Sequence, residues 1–277
     1  MSFNSVNTNR QAVFALQSLN QTNSELSGVQ KRVSTGYRVA DAKDDGGAFA
    51  VAQAVRSDVA GVTAVGEQLG GVKGVLQTTF AALSTVSDTM KQVRATLTRL
   101  ADGAINGDQR AQYETQYTLL ATQISDFIDD ATYNGRTLLS TDVALGGGDI
   151  SGIRNEGGGT FQVEAVNGDD LKLALAPPLT ALLAQGQIAA GGTFDLIDGE
   201  ISTALNGFGA SMQYVENQIT YNAKKVDAMN DGLGALVDAD LAKESSKLQA
   251  LQTRQQLGIQ TLGIANQGPQ VLLSLFR

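Results

Sequence analysis

The densest cluster of side chains with chemical potential is Asp41, Asp44 and Asp45, set just before Gly46-Gly47. Carboxylates this close together, with glycines to turn the chain, could hold a hard cation. The spacing departs from the EF-hand loop, because no bidentate Glu stands at its far end. The alternative is a helix start: carboxylates stabilise the positive end of a helix dipole. Here they stand ahead of Ala48, with Arg38 as the expected ion partner. Glu164, Asp169 and Asp170 could pair as acid and base, but they flank a turn and are expected to be solvated. Gly146-Gly147-Gly148 and Gly157-Gly158-Gly159 lack the Lys, the Ser or Thr and the strand-to-helix setting of a phosphate cradle, and read as surface loops.

Composition narrows the chemistry further. The 277 residues include no Cys and no His. Disulfides, thiol nucleophiles, imidazole bases and His- or Cys-ligated zinc are thereby excluded. The formal net charge of −8 argues against a nucleic-acid partner, which would need clustered Lys and Arg. No polybasic patch suggests an anionic membrane surface. Met1-Ser2-Phe3-Asn4-Ser5 lacks the basic and apolar regions of a secretory signal, and no apolar run approaches the roughly 20 residues of a membrane span. No enzyme activity, metal or cofactor is expected, and the chain reads as soluble and cytosolic unless a dedicated exporter handles it.

The elements around these residues are long helices. Ala12, Ala15, Leu19, Thr22, Leu26, Val29 and Val33 form one stripe with steps of three and four. An unperiodic break, Ser34 to Asp41, follows, and regular spacing resumes at Ala48. From Val55 to Leu100 the stripe covers 45 residues in thirteen steps, about 3.5 per step, the coiled-coil period. Such a helix is on the order of 65–70 Å long. Asp102-Gly103 and Asn106-Gly107-Asp108 supply a stop and a new cap. A shorter helix, with Tyr113, Tyr117, Leu120, Ile124, Phe127 and Ala131 on one face, should fold back antiparallel. Alternation at Phe161, Val163 and Ala165, a turn at Asn167–Asp170, then Leu171, Leu173 and Leu175 predict a β-hairpin, ended by Pro177-Pro178. A last stripe runs from Phe194 to Leu236, 42 residues in twelve steps, with Gly232 and Gly234 as a candidate hinge. The fold class is mostly α: a long antiparallel coiled-coil-like helical rod with a small β-hairpin in the middle of the chain.

The ends of the chain are apolar beyond what one partner helix covers. Leu262, Ile264, Ala265, Val271, Leu272, Leu273, Leu275 and Phe276 occupy nearly every side of a helix, and Phe3, Val6, Val13, Phe14, Leu16 and Leu19 enrich the first turns. A helix apolar all round must be buried, so other copies of the chain are the expected cover.

These segments resemble bacterial flagellin over the whole chain. The family's signature after its first helix is matched by Val33-Ser34-Thr35-Gly36-Tyr37-Arg38-Val39-Ala40-Asp41-Ala42-Lys43-Asp44-Asp45-Gly46-Gly47-Ala48. Asn134-Gly135 matches its Asn-Gly after the third helix, and Asp238 to Glu244 its acidic joint. Ala265 to Arg277 matches its ending. The short insert resembles the compact, alphaproteobacterial type with only the two inner domains. The resemblance implies residues 1–33 and 241–277 as terminal helices of an inner polymerisation domain, 34–47 as a spoke, 48–140 and 193–240 as the rod domain, and 141–192 as a short β-rich, Gly-containing insert.

It also implies a homopolymer joined through both termini, whose ends are disordered before assembly. The expected polymerisation residues are Leu16, Leu19, Leu26, Val33, Leu248, Leu251, Leu262, Leu272, Leu275 and Phe276, with Gly36, Arg38, Asp41, Asp44 and Asp45 in the spoke. Leu272→Asp or Phe276→Asp should block assembly. Further implied partners are the flagellar type III export apparatus, an export chaperone, the filament cap and the hook-junction proteins, with an extracellular location in the bacterial flagellum reached without a cleaved signal peptide. Two rival readings are a hook-associated or junction protein of the same axial assembly, and a membrane-binding amphipathic helix, which the scarcity of Lys and Arg in the C-terminal segment disfavours. In many flagellins an Arg-Val-Arg-Glu-Leu stretch is read by the vertebrate innate receptor for flagellin. The aligned residues are Gln92-Val93-Arg94-Ala95-Thr96, and the changes at Gln92, Ala95 and Thr96 around the retained Arg94 imply weak recognition.

Overall fold

The computed structural model describes residues 9–174 and 177–274, with side chains to residue 267. The chain divides into two compact units, Met1–Ser57 with Ala228–Arg277, and Asp58–Asp227. Its helices are α1 (Arg10–Thr35), α2 (Gly46–Leu100), α3 (Gly107–Asp129), α4 (Ala181–Ile188), α5 (Thr193–Val237) and α6 (Leu241–Ser274). A two-stranded sheet pairs β1 (Ile150–Ile153) with β2 (Thr160–Val163). The mostly α class and the small antiparallel sheet agree with expectation.

The 58–227 unit is built on the expected stripes. Leu69, Leu76, Leu83, Met90, Leu97 and Leu100 of α2 are fully buried, as are Tyr117 and Ile124 of α3 and Phe194, Ile201 and Val215 of α5. Both α3 and α5 run antiparallel to α2. The Arg99 guanidinium lies 5.5 Å from the Tyr113 ring, whereas the Tyr133 ring lies against Gly74, where a Cβ would be 2.7 Å from it. Arg94 pairs with Asp198 at 3.4 Å near the start of α5, and Lys73 with Glu216 at 2.9 Å further along. The turn into α3 is capped as its residues predict, since Asn106 Oδ1 accepts from Gln109 N at 2.8 Å. Arg110 then ties this end together, donating to the carbonyls of Leu100, Leu179 and Asp102. A cation at the carbonyl end of α2 also complements its dipole.

The β-hairpin is present but displaced from its expected position. Ile150 pairs with Val163 and Ile153 with Thr160, so the turn lies within 154–159, which contains the second glycine run. Asn167–Asp170 forms no hairpin turn; Gly168–Leu171 is a short 3-10 turn with Asn167 as its cap. Backbone donors after β2 are committed elsewhere. Ala165 N donates to the Asp149 carboxylate, Val166 N to Leu138 O, and Gly168 N to Leu139 O. Leu171 and Leu173 are buried in the helical core rather than in a strand pair. Alternating burial, the signature of a strand, is met here by an unpaired segment that leaves the 3-10 turn at Leu171. Leu175 lies outside the described residues.

Two further expectations are corrected. The insert is not only β-rich, since α4 forms within it, capped by Thr180 Oγ1 accepting from Leu183 N. Gly232 and Gly234 lie inside α5, and the helix breaks later, at Asp238–Asp240. There Asp240 Oδ1 accepts from Lys243 N at 3.1 Å and starts α6. An aspartate that caps a new helix stops the old one more effectively than a glycine that merely weakens it. The buried face of α3 also differs slightly: Ile128 is buried while Phe127 is half-buried.

Candidate assembly surface

Two features of the 1–57 and 228–277 unit place the expected residues. The first is a joint between the two chain segments. Gly36 ends α1 in the left-handed conformation, φ 75°, with its N–H on Arg32 O. That conformation favours glycine because it has no Cβ. Tyr37 then forms a bridge with Asp238; Arg38 N and Val39 N donate to Val237 O, and Ala239 N to Gly36 O. Val39, Ala52 and Val237 bury together behind these bonds.

The acidic cluster resolves into caps and ion pairs. Asp45 Oδ1 accepts from Gly47 N and Ala48 N, both at 3.0 Å, which is the helix-start role. Arg38 is not the ion partner of the cluster; its guanidinium donates to Leu236 O at 2.6 Å. Lys31 takes that place, 2.8 Å from both Asp41 and Asp44. The reversal at Gly36 brings the loop back beside the last turns of α1, which carry Lys31. Arg32, one residue on, pairs with Glu244 of α6 at 3.2 Å. Lys31 and Arg32 stand outside the sequence motifs, whereas Glu244 ends the acidic joint. The usable signal for the second pair is a basic residue, Arg32, in the last turn of α1 and an acidic residue, Glu244, in the first turn of α6, both favoured by the helix dipole. Among the described residues no cluster is placed to hold a metal ion.

These ion pairs carry a pH prediction. The Lys31 ammonium and backbone N–H donors hold the Asp41 and Asp44 carboxyls below their ordinary value, and the two carboxylates raise Lys31. A depressed carboxyl stabilises the fold above its unfolded pKa, and loses that contribution as pH falls through the folded value. The raised ammonium stabilises below its unfolded pKa and loses that contribution as pH rises through the folded one. Lys31→Met is therefore expected to lower the thermal midpoint near neutral pH and to flatten its fall below pH 4. Thermal melts of both proteins across that range check it; parallel curves would remove the joint's role.

The second feature is the terminal pair. Asn9 Nδ2 donates to Ala265 O and Gln255 Nε2 to Asn23 Oδ1, each at 2.7 Å, so α1 and α6 run antiparallel. Their buried cluster is Leu26, Val29 and Leu251, with Val33 and Leu248 half-buried against it. Leu19 and Leu262 are half-buried, and Leu19 lies against Gly258. Of the expected polymerisation residues, Leu26 and Leu251 thus hold the pair itself, while Leu16 is exposed. The Leu272 side chain, Leu275 and Phe276 lie outside the described residues. The outward apolar residues are Phe14 and Ile264, 71% and 68% exposed, with Val13, Leu257 and Ile259. Val13 and Phe14 lie off the α1 stripe that runs through Ala12, Ala15 and Leu19.

The 92–96 segment lies in the other unit. Gln92 is exposed, and Thr96 is buried, its hydroxyl donating to Gln92 O at 3.0 Å. Arg94 is already engaged by Asp198 and Asp195, and its guanidinium sits 5.2 Å from the Phe194 ring.

Comparison with known proteins converges on one family. The family model for the bacterial flagellin N-terminal helical region matches residues 6–144, and that for the bacterial flagellin C-terminal helical region matches 195–276. Flagellin FljK of Caulobacter vibrioides is 34% identical over 277 residues, covering 100% of both chains. A flagellin of Brucella melitensis biotype 1 is 31% identical over 292 residues, covering 99% of each. Among solved structures, Bacillus cereus flagellin superposes with a TM-score of 0.52 at 20% identity, covering 56% of this chain and 88% of that one, a likeness of fold.

Proposed function

This chain belongs to the bacterial flagellin family and is a structural subunit of the flagellar filament, and we propose that it assembles through the outward apolar face of its terminal helix pair. The observation that carries this reading is the exposure of Phe14, Leu257 and Ile264 on helices whose partner-facing side is already filled. Burying such residues contributes about 1.5–3 kcal/mol each. Contacts of this heterologous kind, repeated without closing into a ring, give an open helical polymer. Full-length similarity to flagellins sets aside the hook-associated alternative.

The finer roles follow from that assignment. The subunit works mechanically and not as an enzyme, transmitting motor torque as part of a swimming filament outside the cell. Its partners are the type III export apparatus, a chaperone on the C-terminal helix, the cap and the hook-junction proteins. The 34–47 segment acts as the spoke between the inner polymerisation domain and the helical rod domain. Negative-stain microscopy of purified chain, seeded with sheared filament fragments, tests assembly. Filaments that no longer grow after removal of residues 1–30 or 245–277 support it; a chain that stays monomeric when seeded overturns it.

Recognition by the vertebrate innate receptor is expected to be weak. Gln92 supplies no cation, Thr96 no exposed apolar anchor, and Arg94 is held by two carboxylates of its own chain. A reporter-cell assay should show a potency far below that of flagellins carrying Arg-Val-Arg-Glu-Leu, and equal potency would sink this expectation.

A further inference from the structure

We propose that Asn134-Gly135 is a site of spontaneous deamidation, the one of the chain's four Asn-Gly steps that folding leaves reactive. The reaction needs a backbone nitrogen free to attack the preceding carboxamide, and a following residue without a side chain to obstruct it. Asn106-Gly107, Asn134-Gly135, Asn167-Gly168 and Asn206-Gly207 all meet the second requirement. They differ in whether the carboxamide and that nitrogen are both unengaged.

Tyr133 N donates to Arg136 O at 2.8 Å and Arg136 N to Tyr133 O at 3.0 Å, enclosing a two-residue turn with Asn134 at φ 49° and Gly135 at φ 73°. Positive φ at both central residues is the turn geometry that Asn-Gly favours. Both residues are exposed, and among the described residues neither the Asn134 carboxamide nor the Gly135 N–H has a hydrogen-bond partner. The other three steps are restrained. Asn106 Oδ1 is held over the start of α3 by Gln109 N. Asn167 Oδ1 accepts from Asp169 N, its Nδ2 donates to Asp170, and Gly168 N is committed to Leu139 O. Asn206-Gly207 lies inside α5, where the Gly207 N–H is bonded one turn back.

At Asn134 the Gly135 nitrogen loses its proton to a solvent base and bonds to Cγ. The Cγ–Nδ2 bond breaks, and the nitrogen leaves as ammonia after taking a proton from water. Water then opens the resulting succinimide at either carbonyl, leaving Asp or isoaspartate. One water is consumed and one ammonia released, with no oxidant or cofactor. The isoaspartyl product lengthens the backbone by one methylene in a turn whose Gly135 carbonyl abuts Gly146, where no Cβ would fit. On the filament reading, subunits that stay in place would accumulate the product with age; the chemistry itself does not depend on that reading.

The full chain, incubated in mildly alkaline buffer, is digested and mapped by mass spectrometry, with an isoaspartyl methyltransferase marking the product. The Asn134 peptide is expected to convert at least about tenfold faster than the other three, the ratio set by how rarely the folded chain opens at those sites. In denaturant all four should convert at similar rates, and Asn134→Gln should abolish most methyl acceptance by the folded chain. Conversion of Asn134 no faster than the others in the folded chain would overturn the proposal, as would the same ranking persisting in denaturant.

Discussion

Phe14→Asp or Ile264→Asp is expected to leave the subunit folded and to raise the concentration required for polymerisation at least about a hundredfold. Both positions face solvent in the isolated chain, so the carboxylate remains hydrated there and costs little. In the polymer the same carboxylate would be buried without a cation. That costs several kcal/mol, where about 1.4 kcal/mol already corresponds to tenfold. Leu26→Asp is the informative contrast. It strikes the intrachain cluster with Val29 and Leu251 and should undo the helix pair before assembly is tested. Sedimentation of polymer with circular dichroism of the supernatant separates the two cases. Normal polymerisation by both surface variants would remove this face from the assembly.

Before polymerisation, amides of α1 and α6 are expected to exchange at least about a hundredfold faster than those of α2 between Leu69 and Leu97. The cause is the amount of core that each set of helices closes on. Leu26, Val29 and Leu251 are the buried members of the terminal-pair cluster, whereas the 58–227 unit buries the α2 stripe against two helices and the insert. Ordering a helical residue costs about 1–2 kcal/mol, and among the described side chains of α1 and α6 few are buried to offset it. Assembly should slow their exchange to that of α2. Mass-spectrometric exchange on monomer and filament measures this contrast; equal protection in the monomer would mean that the pair is stable without neighbours.

The two expectations share one basis, which the residues themselves announce. Apolar positions at the coiled-coil period located α1, α2, α3 and α5, and the caps at Asn106 and Asp45 were readable because short side-chain acceptors precede each helix. The surplus of apolar residues at both ends signalled that something outside the chain must cover them. Within those ends, however, sequence does not say which apolar residues meet their own partner helix. The antiparallel register through Asn9, Asn23 and Ala265 assigns Leu26 and Leu251 inward and Phe14 and Ile264 outward.

The misread hairpin lies where no long period runs. Alternation at Leu171 and Leu173 is the same pattern whether a strand pairs or an extended segment buries alternate side chains. Which occurs depended on Leu138 and Leu139 offering carbonyls to the backbone of 166–168. Arg38 and Lys31 were both eligible partners for Asp41 and Asp44. The left-handed turn at Gly36 and the carbonyl of Leu236 directed them apart.

The sequence by itself determined the long helices, two of their caps, the family and the need for a polymer, because periodicity, capping and total apolar content are local or additive properties. Only the tertiary structure decided the hairpin register, the ion pairs of the joint and the free face of the terminal pair. Those depend on which distant groups arrive at a given donor, acceptor or apolar side chain, and chain order alone does not encode that proximity.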